Sequence, residues 1–199
     1  MGSSPAPPEA EIRALHQAGD FRAAARRAIE AYGPEVLAFL VTTLRDEDHA
    51  SDVFGDTCED VWRGLSSFQW RASLRTWFYT LARHAASRSR RSAHRRPGRH
   101  VPLSEAGELA HQVRTRTWTW LRSEAQDKLD QLRNELPEED HQLLVLRISR
   151  RMEWQDVARV MGNVDSPGSL TREAARLRKR FQLLKTRLRE RAREQGLLD

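Results

Sequence analysis

At 199 residues the chain has room for one domain or two small ones, and 39% hydrophobic with 31% charged residues suits small helical domains with wide solvated faces. Basic residues number 34 against 28 acidic, a formal net charge of +6, and all but Lys128, Lys179 and Lys185 are arginines, whose planar fork of donors suits phosphate and guanine edges. A single cysteine, Cys58, excludes a disulfide framework or thiolate cluster, and the longest strongly apolar run, Val36 to Val41, falls far short of the roughly 20 residues that cross a bilayer.

Residues 1–8 carry three prolines and no signal pattern, and read as a disordered tail on a cytoplasmic protein without a membrane partner. Apolar residues then recur at helical spacing to Arg91. From Ser92 to Thr117, Pro97-Gly98, Pro102 and Gly107 fall among Arg, His and Ser, the signature of a linker. Periodicity resumes near Trp118 and no period-2 strand appears, so the chain is expected to be all-α. It divides into a helical domain at 9–91, a flexible basic linker at 92–117 and a second helical domain at 118–199.

In the first domain, Val36, Leu37, Leu40, Val41 and Leu44 share one face of the stretch from Pro34 to Arg45. From Glu47 to Leu65, Ala50, Val53, Phe54, Cys58, Val61, Trp62 and Leu65 make a buried stripe. Opposite them stand Asp48, Asp52, Asp56 and Asp60 at strict i,i+4 spacing, with Glu59 beside them. Like charges at that spacing each cost a helix about 0.2–0.5 kcal/mol, a cost easier to understand if a basic partner covers the face than if it is simply solvated. The helix expected at Arg71 to Arg91 is opposite in sign: Arg71, Arg75, Arg83, Arg88, Arg90 and Arg91 line it, and no acid follows Arg83 before His100. Trp77 and Phe78 read as core, whereas Phe68 and Trp70 precede the helix in a loop where rings can stack on unpaired bases.

In the second domain, Pro137 followed by Glu138, Glu139 and Asp140 marks a helix start running through Leu143, Leu144, Leu146 and Ile148. A short helix from Glu153 to Met161 stops at Gly162, and a long one follows from Ser169 to Glu194. Its stripe is Leu170, Ala174, Leu177, Phe181, Leu184 and Leu188, and its outward first turns carry Thr171, Arg172, Arg176, Lys179 and Arg180. A short helix, a turn and a basic helix are the parts of a helix-turn-helix, which reads DNA with the start of its second helix.

The stretches Asp48-His49-Ala50-Ser51-Asp52-Val53 through Trp62, Ser73-Leu74-Arg75-Thr76-Trp77-Phe78-Tyr79-Thr80-Leu81-Ala82-Arg83, Leu136-Pro137-Glu138, Trp154 to Gly162 and Gly168-Ser169-Leu170 resemble, in order and spacing, bacterial extracytoplasmic-function (ECF) sigma factors. The resemblance implies that the acidic helix docks on the β′ clamp helices of core RNA polymerase, through Asp48, Asp52, Asp56, Glu59 and Asp60. It implies a promoter −10 surface of Phe68, Trp70, Arg75, Tyr79, Arg83 and Arg88. The second domain would meet the β flap and read the −35 element with Thr171, Arg172, Arg176, Lys179 and Arg180, and an anti-sigma factor is a further partner of such proteins. The chain departs from the family at His84 (usually Asn), at Ser87 (commonly an acid), and in a longer turn from Asn163 to Ser169. Ser51 stands where an acid usually completes the docking motif, which makes it a candidate phosphosite for a Ser/Thr kinase adding about −1.5 to −2 charge.

Catalysis is not expected. The seven histidines form no i,i+4 pair or HExxH motif, no Gly-rich phosphate loop or nucleophile elbow occurs, Cys58 sits on the buried stripe, and no metal or cofactor is implied. The alternative is a helix-turn-helix nucleic-acid-binding protein, of transposase or RNA-associated type, that acts without RNA polymerase.

Overall fold

The computed structural model describes residues 7–91, 104–121 and 135–194, and every regular element among them is a helix. The chain separates into two compact units, 1–122 and 123–199.

The first unit contains α1 (Pro7–Gln17), α2 (Phe21–Leu44), α3 (Glu47–Gly64), a single 3-10 turn (Leu65–Ser67), α4 (Leu74–Arg91) and α5 (Glu105–Leu121). Short polar side chains set the boundaries. Asp20 caps α2 by accepting from the Ala23 amide, and Asp46 caps α3 by accepting from His49. Arg45, between those two helices, takes the left-handed conformation that ends α2. Ser73 sets the start of α4, its Oγ accepting from the Thr76 amide, so Arg71 and Ala72 lie ahead of the helix rather than in it.

Gly33-Pro34 does not break α2, which runs 24 residues straight through it. The exposed Pro34 loses one backbone hydrogen bond, but buried residues on both sides, from Ala24 to Leu40, hold the helix against the core. Gly33 serves packing instead: a Cβ there would lie 3.1 Å from Val113 and 3.2 Å from Phe54. Phe39, Phe54, Phe78, Tyr79, Leu37, Leu40, Leu65 and Leu74 fill the core. Glu9, buried in α1, accepts from the Leu74 amide at 2.7 Å and from the Tyr32 hydroxyl at 2.8 Å, tying three helices together. Burial, and then Glu9, raises the Tyr32 phenol far above its ordinary range.

The linker expected at 92–117 is corrected. Residues 92–103 lie outside the described residues, but α5 packs on α2 and α3 through Ala106, Leu109, Ala110, Val113 and Thr117. Ser104 caps it through the Gly107 amide and donates to Glu59, while Glu105 pairs with Arg22 at 2.6 Å and Arg26 at 2.9 Å. The domain boundary therefore falls after α5.

In the second unit, α6 (Glu138–Leu144) runs into a π turn (Val145–Ser149), followed by α7 (Trp154–Gly162) and α8 (Pro167–Glu194). Gly162 is the last helical residue, and Asn163 takes the left-handed position after it. The π turn rotates Ile148 to the surface, where it is 52% exposed, instead of continuing the buried stripe.

Candidate functional site

On α3, Asp48, Asp52 and Asp56 are exposed along one face while Ala50, Val53, Phe54, Thr57, Cys58 and Val61 are buried. The other two acids of the expected docking set are engaged within the domain. Asp60 pairs with Arg88 of α4 at 2.6 Å, and Glu59 accepts from Arg63 at 3.0 Å and from Ser104. Ser51 is half-buried beside Asp52, and burial pushes the Cys58 thiol well up, as fits an inert core residue.

The segment between α3 and α4 carries a row of rings. Phe68 lies 5.0 Å from Trp70 and 4.8 Å from Trp77, and Trp70 meets His16 edge-on at 5.5 Å, with Phe21 on His16's other side at 5.2 Å. Phe68, Trp70 and Trp77 are half-buried. Trp77, expected in the core, joins the row because Gly64 lets its ring approach α3 closely: a Cβ at Gly64 would sit 3.0 Å from it. Trp70 adopts a left-handed backbone, φ 57°, which costs of order 1–3 kcal/mol unless its surroundings hold it.

Two members of the expected −10 set face elsewhere. Tyr79 is fully buried against Phe39 and donates to the Glu35 carbonyl, so its ring is closed to a base. Arg75 holds Glu35 in a two-pronged bond at 2.6 and 2.7 Å, and this hydrogen-bonded partner raises its already high pKa. Arg88 is exposed but paired with Asp60. Arg83 is half-buried on α4; desolvation first, and the Arg83 cation second, lower Arg90 from its ordinary value.

In the second unit Thr171, Arg172 and Lys179 are exposed on the first turns of α8. Arg176 is exposed and held by both oxygens of Glu173, at 2.8 and 2.6 Å; that bond lowers the Glu173 carboxyl from its ordinary range. Arg180, expected to contact DNA, is engaged within the unit as a clamp. Its Nε donates to the buried Asp140 and another nitrogen to Glu139, both at 2.6 Å, joining α8 to α6; desolvation opposes its charge, but the two carboxylates outweigh it. Gly162 admits Glu173, whose Cγ would lie 2.7 Å from a Cβ at that position. Arg147 and Arg178 both lie over the Trp154 ring.

The residues that sequence reasoning missed, Arg13, His16 and Trp77, join the aromatic row through contacts that fall outside local periodicity. The Trp70 indole donates to His16 from 54 positions away.

The first unit is thus a helical domain with an acidic face on one rod and rings and arginines on its neighbour. Residues 28–96, which contain both, match the family model described as Sigma-70 region 2. That stretch carries the Sigma-70 region 2 domain, and the chain is similar to RNA polymerase sigma factors. It is 26% identical over 163 residues to the RNA polymerase sigma factor YlaC of Bacillus subtilis (strain 168), covering 80% of this chain and 92% of that protein. It is 26% identical over 151 residues to the RNA polymerase sigma-H factor of Pseudomonas aeruginosa, covering 73% and 78%. Among solved structures it is similar to the sigma factor RpoE of Bartonella quintana, in complex with the anti-sigma factor NepR, at TM-score 0.46 and 18% identity, covering 79% of this chain and 94% of that one.

Proposed function

We propose that this chain is a sigma factor of the extracytoplasmic-function type. It binds core RNA polymerase through Asp48, Asp52 and Asp56 of α3. It holds the opened −10 element on the surface of Phe68, Trp70, Trp77 and Arg83, and contacts the −35 element with Thr171, Arg172, Arg176 and Lys179 of α8. The observation that carries the reading is the placement of exposed acids and half-buried rings on adjoining elements inside the matched residues 28–96. Acids suit a basic protein partner, whereas rings beside arginines suit unpaired bases and their phosphates.

The test combines the purified chain with core RNA polymerase and reads transcription from a promoter library. Sequence-selective initiation is expected, and Asp52→Arg with Asp56→Arg abolishes it by preventing assembly while the helical circular dichroism stays intact. A chain that coats random DNA but ignores the polymerase would instead be a nucleic-acid-binding protein of another kind.

A further inference from the structure

Helix α1 precedes the matched residues 28–96, yet two of its side chains hold the ring at the centre of the aromatic row. The Trp70 indole N–H can only donate, and it points at His16 Nδ1 at 3.3 Å; Nδ1 therefore accepts. The proton of the neutral imidazole then lies on Nε2, which donates to the Leu65 carbonyl at 3.0 Å, at the end of α3. His16 thus bridges the two ends of the short segment that bears Phe68 and Trp70. Within that bridge Trp70 keeps its left-handed backbone. Arg13, one turn earlier on α1, places its guanidinium 4.5 Å over the Trp70 ring.

We infer that His16 is a positioning residue for single-stranded DNA binding: by accepting from the Trp70 indole and donating to Leu65 it fixes the ring on which an unpaired base stacks, with Arg13 supplying the adjacent cation. The inference rests on the proposed reading of the aromatic segment as the −10 surface. Without His16 the segment is free to relax out of the left-handed conformation, and Trp70 leaves the row. Duplex DNA, held through arginines on phosphates, does not depend on that ring.

The experiment titrates the full chain with a labelled short single-stranded DNA of random sequence and with a duplex of the same length. Trp70→Ala is expected to weaken single-strand binding about fivefold or more, the loss of one stacked base. His16→Phe keeps the aromatic contact but removes both hydrogen bonds, and is expected to lose as much while duplex binding stays unchanged. The double variant is no weaker than Trp70→Ala alone, because His16 acts through that ring. His16→Gln, which again offers one donor and one acceptor, restores wild-type binding. Single-strand binding by His16→Phe at the wild-type level, a loss additive with that of Trp70→Ala, or failure of the Gln rescue overturns the inference. Should His16→Phe not fold, Trp70→Phe removes the same indole bond from the other side, and wild-type binding by it is equally fatal. An unchanged Trp70→Ala variant defeats the reading of the aromatic segment itself; a weakened Trp70→Ala beside a normal His16→Phe defeats only the role of His16.

Discussion

Glu9 shows how much one buried carboxylate can organise. Its two oxygens take the first amide of α4 and the hydroxyl of Tyr32, both removed from water. Truncation strands two buried donors at about 1–3 kcal/mol each, so Glu9→Ala is expected to destabilise the first unit by several kcal/mol in urea unfolding. Glu9→Gln should lose less, because its amide keeps one acceptor for Tyr32 but turns a donor toward another donor at Leu74. Equal losses for Ala and Gln would show that the Leu74 bond dominates. None of this was legible in the sequence, where Glu9 is an ordinary acid at the start of a helix. The same holds for Tyr79 and Arg75: residue type suggested DNA, but it could not show the burial against Phe39 or the two-pronged partner at Glu35.

At the scale of elements, periodicity located α3, α7 and α8 within a few residues, because their apolar stripes are strong and their ends are marked by Asp46 and by Gly162-Asn163. It failed for α5. The stripe there is Ala106, Leu109, Ala110, Val113 and Thr117, at helical spacing but with two alanines and a threonine among its five members, and Pro102 and Gly107 beside it imitate a linker. Packing against Gly33 reveals it as part of the domain. Val113→Ala is therefore expected to cost about 1–2 kcal/mol in the unfolding of the first unit, whereas the same change in a true linker would cost nothing. A parallel contrast applies to α8, where residue type made Arg180 and Arg172 look alike. Arg180→Ala leaves the buried Asp140 without its cation and should lower the second unit's stability by about 1–3 kcal/mol. Arg172→Ala should leave thermal unfolding untouched and, where Arg172 reads a guanine, cost about 1–3 kcal/mol of promoter binding. Calorimetry beside DNA titration of the two variants separates the roles.

Across the molecule, a net charge of +6 hides an uneven distribution that the sequence pattern did expose, since aspartates at every fourth position can share only one helix face. What the pattern could not show is where the two signs neutralise each other. Asp60 and Arg88 close an ion pair across α3 and α4, which engages the last rung of the acidic ladder with an arginine of the proposed DNA surface. The exposed pair contributes about 0–1 kcal/mol to folding, so its removal should be tolerated. Asp60→Asn is expected to leave core polymerase affinity nearly unchanged, in contrast to the charge reversal at Asp52 and Asp56. It also removes one negative charge beside the arginines of α4, so DNA affinity should rise at low salt and fall more steeply with added salt. Filter-binding across a salt series, run beside polymerase titration, measures both. A large loss of polymerase affinity with no change in salt slope would return Asp60 to the docking face and leave Arg88 no part in holding DNA.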